Sequence, residues 1–316
     1  MPRRLFSRVL FFLVILIAVF SAAVFLFAKP ILLSIAEKEL QKIFKQSSIS
    51  GLNIAINFIE FQGIEIKEKN SYDLKIKEAR IYYSLRSLLK NKTEKIEAFK
   101  LNISSFKTDL FEIKGILLSA ARDRDDGEFS IKSVNYNKLK IGDISGKSEL
   151  KGNMLYIRPV LFNFIGGSVK GEFDISLDQG MDYNLRLDGQ GMEIKRLVDD
   201  MEYNEKFNMT GRLDGELYIS GNDAGIKDIK GDFYTEAAGG VLVIKDKTFL
   251  ENIAKQSNQP LNIIMESFNN YNYNNGIVKL SADTGNLVMD LKLEGSSGKR
   301  SLSVILHDFN KGKEKQ

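Results

Sequence analysis

The sequence predicts a mainly β fold: an N-terminal transmembrane helix followed by a long, curved antiparallel β-sheet, groove-like, with a few short helices. Three observations lead to it. An uncharged apolar run opens the chain, apolar and polar side chains alternate strictly in twos over long stretches beyond about Ser50, and only a few later segments show helical spacing. With 316 residues and 43% hydrophobic content the chain has ample length and apolar matter for a core, and neither its length nor its 27% charged content marks disorder.

No residue from Val9 to Ala28 is charged. At ~1.5 Å of helical rise per residue this stretch reaches about 30 Å, the thickness of a bilayer's hydrocarbon core. A cleaved signal peptide is the competing interpretation, since it too combines a basic flank, an apolar stretch and small residues such as Ser21, Ala22 and Ala23. Signal-peptide apolar regions run only ~7–15 residues, and Pro30 sits badly for cleavage after Ala28, which favours an anchor. Arg3, Arg4 and Arg8 precede the span and Lys29 alone follows it closely, so the N-terminus is expected in the cytoplasm and the body outside the inner (cytoplasmic) membrane. In a cell with two membranes that side is the periplasm.

This gives four parts: residues 1–30 as cytoplasmic tip and anchor, 31–48 as a juxtamembrane amphipathic helix, 49–310 as the exported β domain and 311–316 as a basic tail. In the second, Leu33, Ala36, Leu40, Ile43 and Phe44 recur at helical spacing among Glu37, Lys38, Glu39, Lys42 and Lys45. Such a helix could lie near the membrane or cap the folded domain, and the pattern serves both.

The exported part is built of hairpins with one apolar and one polar face. Val169, Gly171, Phe173, Ile175 and Leu177 lead through a turn at Gln179-Gly180 to Tyr183, Leu185 and Leu187. Gly211, Leu213, Gly215, Leu217, Ile219 and Gly221 turn at Asn222 to Gly225 into Ile229, Gly231 and Phe233. Val278, Leu280 and Ala282 turn at Asp283 to Asn286 into Leu287, Met289, Leu291 and Leu293. Weaker strands come earlier, at Leu52 to Phe58, Leu74 to Ile76 and Phe99 to Ile103, and the charged stretch Arg122 to Glu128 marks a loop. Helical interruptions fall at Ile194, Leu197, Val198 and Met201; at Phe249, Leu250, Ile253 and Ala254 after a cap at Asp246; and from Pro260 through Leu261, Ile264, Met265 and Phe268.

Two architectures fit this pattern. One is a sandwich whose apolar faces pack on each other. The other is an open sheet whose apolar face lines a groove, with Val169, Phe173, Ile175, Leu177, Leu185, Leu187, Leu213, Leu217, Ile219, Phe233, Leu280, Leu287, Met289, Leu291 and Leu293 as its lining. The scarcity of helices to cover the sheet, and the glycines at 211, 215, 221 and 231, favour the groove. Glycine on an apolar face removes volume where a sheet bends or a ligand approaches the backbone.

Catalytic patterns are missing. His307 stands alone near the C-terminus. Gly166-Gly167-Ser168-Val169-Lys170 comes within one residue of a nucleophile elbow, but Lys170 replaces the second glycine and a strand follows where a helix should. Asp123-Arg124-Asp125-Asp126-Gly127 starts like a calcium loop, yet Gly127 and Val134 occupy ligand positions, which leaves a solvated turn. Asp199 and Asp200 diverge on their helix. The expectation is a protein that is not an enzyme, with no cofactor and no metal. The absence of cysteine removes thiolate chemistry. Of the net charge of +4, the N-terminal flank supplies +4 and the tail (Lys311, Lys313 and Lys315 against Glu314) +2, so the body stands at −2 and nucleic acid is not an expected partner.

The segment from Phe164-Ile165-Gly166-Gly167 through Gly171-Glu172-Phe173, Asp188-Gly189, Gly211-Arg212-Leu213-Asp214-Gly215-Glu216-Leu217 and Gly239-Gly240-Val241-Leu242 resembles the C-terminal region of AsmA-like proteins. The helices from Phe249 to Phe268, then Asn272-Tyr273 and Leu291-Lys292-Leu293-Glu294-Gly295, are most similar to the YdbH branch. The resemblance covers about residues 145 to 310. It implies an elongated β-groove held at the inner membrane, with phospholipid acyl chains as partners and phospholipid transport or outer-membrane maintenance as function. The chain is much shorter than family members that bridge both membranes. Even ~20 stacked strands at about 4.8 Å each would reach only roughly 95 Å, so an envelope protein partner or a homo-oligomer is expected to complete a bridge. The alternative is an envelope scaffold that assists outer-membrane protein or partner-subunit assembly through its sheet edge or apolar face, without lipid transfer.

Overall fold

The computed structural model describes residues 29–68, 71–83, 96–136, 138–178, 180–283 and 285–307. The chain divides into two compact units, Met1–Asp109 and Leu110–Gln316.

In the first unit a helix over residues 29–43 (α1) precedes four strands, β1 (Gln46–Ile54), β2 (Phe58–Glu68), β3 (Tyr72–Tyr83) and β4 (Ile96–Thr108), paired antiparallel in sequence order. Leu33, Ala36 and Leu40 of α1, with Phe44 beyond it, pack on a cluster around Ile49, Ile64 and Ile66. The helix thus caps the sheet of its own unit. On the opposite, polar face Glu60 is only 3% exposed and is gripped by Gln62 and Arg80. The hydrogen bond from Gln62, with those and the charge of Arg80, outweighs burial and holds the Glu60 carboxyl below the usual range.

The transmembrane helix expected over residues 9–28 falls outside the described residues. Among the described residues no helix is long and apolar enough to cross a membrane. The helix at 29–43 rises only about 22 Å at ~1.5 Å per residue, and it carries Glu37, Lys38, Glu39 and Lys42. The expected fold class is therefore corrected: mainly β, with long antiparallel pairing and few helices and, among the described residues, no membrane-crossing helix. The basic tail at 311–316 also lies outside the described residues.

The second unit holds an antiparallel sheet of eleven strands. Six follow one another directly: β5 (Phe111–Ala121), β6 (Gly127–Tyr136), β7 (Leu139–Lys151), β8 (Met154–Phe164), β9 (Gly167–Ser176) and β10 (Tyr183–Glu193). The chain then makes two excursions. The first, between β10 and β12 (Arg212–Asn222), contains helix α2 (Ile194–Asp200) and β11 (Phe207–Met209). The second leaves after β13 (Gly225–Thr235) and contains β14 (Gly240–Ile244), helices α3 (Lys247–Ser257) and α4 (Leu261–Phe268), and β15 (Tyr271–Tyr273). The sheet closes with β16 (Asn275–Asp283), β17 (Asn286–Gly295) and β18 (Gly298–Leu306).

β11, β14 and β15 pair into a small second sheet, and this knits the two excursions into one cap. Asp246 starts α3 by accepting a hydrogen bond from the Phe249 amide at 3.1 Å. The cap has its own core, with Val198, Leu242, Leu250, Ile264, Tyr271 and Tyr273 buried around Leu293. Tyr273 is 1% exposed and its hydroxyl donates to the Thr210 carbonyl, so the two excursions are joined by a buried hydrogen bond. Burial pushes the Tyr273 phenol up to about 12. Because the folded value lies above the ordinary 10, the neutral phenol's contribution is intact below pH 10 and is lost as pH rises toward 12. Tyr273→Phe is expected to cost about 1–3 kcal/mol at neutral pH, by leaving the Thr210 carbonyl without that donor, and to flatten the loss of stability above pH 10. Urea unfolding at neutral and alkaline pH measures both.

Candidate apolar binding face

Register in the second unit assembles the expected lining residues into rows that cross the strands. Gly171, Leu187, Leu217, Gly231, Leu280, Met289 and Val304 form one row. Ile157, Phe173, Leu185, Ile219 and Ile229 form a second, and Val169, Gly189, Gly215, Phe233, Val278, Leu291 and Leu302 a third. Ile175, Leu213, Leu287 and Leu293 occupy the same face on their strands.

These residues differ in cover. Leu293 is 1% exposed, and it packs with Leu213 and Leu291 into the cap core. Val169 is buried, and Phe173 packs with Ile144, Ile157 and Val160 on neighbouring strands. Ile175, Leu185, Leu187, Leu217, Ile219, Phe233, Leu280 and Leu287 are half-buried. Met289 is 36% and Leu177 49% exposed. The cap therefore seals the face where Leu213, Leu291 and Leu293 stand, and beyond it most of the apolar side chains keep part of their surface in solvent.

The glycines on this face do not leave hollows for a ligand, and that part of the sequence argument is corrected. A Cβ on Gly215 would stand 2.6 Å from the Phe233 ring, one on Gly231 2.8 Å from the same ring, and one on Gly171 2.6 Å from Leu187 Cδ2. Large side chains lie across the glycines, so the missing volume is used for lateral packing. Ser168 and His307 are both exposed, on β9 and just past β18. The acidic run at Asp123 to Asp126 forms the turn between β5 and β6, exposed and with Arg124 paired to Asp126.

The opposite face is a ladder of charges. Arg158 grips Asp174 with Nε at 3.1 Å and Nη2 at 2.7 Å, Arg186 reaches Glu216 at 3.1 Å, and Lys279 reaches Asp232 at 3.3 Å. A hollow of ≈ 560 Å³ lies among Glu172, Asp174, Asn184, Arg186, Glu216 and Tyr218. Its charges are mutually paired and largely exposed, each pair worth little, so it reads as a solvated sheet face.

Arg300 was missed. It occupies an apolar-face position on β18 opposite Leu293, two residues before Leu302. Extending the Leu302–Val304 alternation backward would have found it.

The AsmA family model matches residues 68–286, a span that includes most of the strands that build these rows. No curated protein and no solved structure matches the chain. Nothing matched singles out the YdbH branch. Since the matched span is well over half of its length, the chain belongs to the AsmA family.

Proposed function

We propose that the protein handles phospholipid in the cell envelope, laying acyl chains on the part of the apolar face that the cap leaves uncovered, while the charged face meets water. One observation carries this: the apolar rows are continuous in register, and outside the cap Leu185, Leu187, Leu217, Ile219, Phe233 and Leu280 are only half-buried, while Ile157, Val169 and Ile229 are covered. Apolar surface gains about 25 cal/mol for each Å² removed from water, so such a face favours a ligand that covers it with hydrocarbon. Membership of the AsmA family and the large antiparallel sheet are compatible with a lipid-related envelope function. The similarity of the Phe249 to Gly295 segment suggests the YdbH branch. In this reading the body lies on the outer side of the inner membrane. A protein partner or second copy at the β18 edge would extend the sheet.

The test is photo-crosslinking from probes at Leu217 and Met289 in the full chain, extracted from cells. Covalent capture of phospholipid at both supports the proposal. Well-folded protein that captures none, while a probe on the β18 edge captures outer-membrane protein strands, would replace it with the scaffold.

No catalytic step is part of this function. Ser168→Ala and His307→Ala are expected to leave lipid capture and cell-envelope integrity at wild-type level. Complete loss of either with the fold preserved would bring back an enzyme.

A further inference from the structure

The charged residue that interrupts the apolar face is placed where a lipid's polar part would need it. Strand pairing sets Arg300 opposite Leu293, and its neighbours on this face of β17 and β18, Met289, Leu291, Leu302 and Val304, are all apolar. The guanidinium lies 4.9 Å from the centre of the Tyr271 ring and 5.9 Å from that of Phe268, at the border of the cap. Stacking of this kind fixes the plane of the fork and leaves its edges for hydrogen bonds.

Those edges are largely unused. Nη1 donates to the Lys299 carbonyl at 3.0 Å, whereas Nε is buried without a hydrogen-bond partner. Among the described residues no carboxylate forms an ion pair with Arg300. Arg158 offers the comparison within the same sheet: its Nε and Nη2 together hold Asp174. The corresponding edge of Arg300 has a donor out of water and no anion. An arginine does not discharge by losing its proton, so its charge persists on an apolar face where two rings and one carbonyl face it but, among the described residues, no anion. Nε is covered by protein, so two oxygens of a phosphate would meet the fork at its outer end, through Nη2 and the remaining donor of Nη1.

We propose that Arg300 binds the phosphate of a phospholipid whose acyl chains lie on the uncovered apolar rows. The proposal rests on the lipid function above and adds the headgroup's position and the polarity of the bound molecule. The phosphate sits at the cap. The chains run along β17 and β18 toward Met289 and Val304, the latter about 14 Å from Arg300 at ~3.4 Å per residue. Any phosphate ester or free phosphate offers the same two oxygens, and the experiment separates these sources.

The full chain carrying a photo-crosslinker at Met289 is incubated with vesicles containing either phosphatidylglycerol or diacylglycerol of identical acyl chains. The expected result is a preference of about tenfold for phosphatidylglycerol, the order of a charge-assisted hydrogen bond. Arg300→Gln should abolish that preference while diacylglycerol capture is unchanged, and Arg300→Lys should keep part of it. Arg300→Met, which retains an apolar stem opposite Leu293 in register, should behave as Arg300→Gln and guard against a loss due to misfolding. An undiminished preference in Arg300→Gln and Arg300→Met overturns the proposal with the lipid function intact. Capture of neither lipid by the unsubstituted chain removes the lipid function itself. Broadening of the inorganic phosphate resonance that depends on Arg300, without any lipid preference, assigns the site to free phosphate and likewise overturns the proposal.

Discussion

Glutamate in place of Leu293 is expected to abolish accumulation of folded protein. Leu293 is 1% exposed and lies in the cap core with Tyr271, Tyr273, Leu242 and Ile264, where both chain excursions meet β17. A carboxylate there would lose its hydration, and Arg300, its partner in register across β17 and β18, has its guanidinium against the Tyr271 ring, 4.9 Å from the ring centre. The penalty is several kcal/mol, comparable with the ~5–15 kcal/mol that holds a domain together. Leu293→Ala should fold but lose about 2–5 kcal/mol through the cavity it leaves. Yield and thermal unfolding distinguish the two, and a normally folded Leu293→Glu would mean that the cap is not a packed core.

The same substitution one row away should do something different. Leu217 is half-buried and Met289 is 36% exposed, so Leu217→Glu and Met289→Glu can turn the carboxylate to water. Their unfolding is expected to stay within about 1 kcal/mol of wild type. What should disappear is acyl-chain capture, because hydrocarbon would have to lie against a charge. Leu291→Glu should fall between, since Leu291 packs on the edge of the cap core. If Leu217→Glu unfolds as Leu293→Glu does, the face is closed and the sandwich is the correct architecture.

The hairpins β9–β10, β12–β13 and β16–β17 were legible because their alternation runs unbroken over most of each strand, with register shifts only near strand ends, past Gly189 in β10 and at Ser220 in β12. β8 was not, although it is just as regular a part of the sheet. Its register shifts between Ile157 and Val160, so the inward positions are Leu155 and Ile157 before the bulge and Val160 and Phe162 after it. β3 does the same, with Leu74 and Ile76 followed by Ala79 and Ile81. A bulge shifts the pattern by one residue, and a template of strict period two loses the strand there. The three-residue strands β11 and β15 are too short to show any period. The helices were found where their apolar spacing and caps coincide, as at Asp246. The lining residues were found for the same reason as the hairpins, but their division between cap core and uncovered rows depends on which excursion folds over which row. That is a tertiary fact, and no local pattern in the chain encodes it.

From β6 to β9 every strand pairs with the strands before and after it in sequence, and with no other strand of the sheet. Stability in such a stretch is a sum over adjacent pairs, as in repeat proteins. Length then becomes a variable that selection can change without redesign. One hairpin inserted between β8 and β9 would extend the run by about 10 Å at ~4.8 Å per strand, and the cap at the far end would keep its core unchanged. Reach and closure are thus inherited separately, and a lineage needing a longer or shorter protein can add or delete hairpins while conserving the end that folds over the apolar rows.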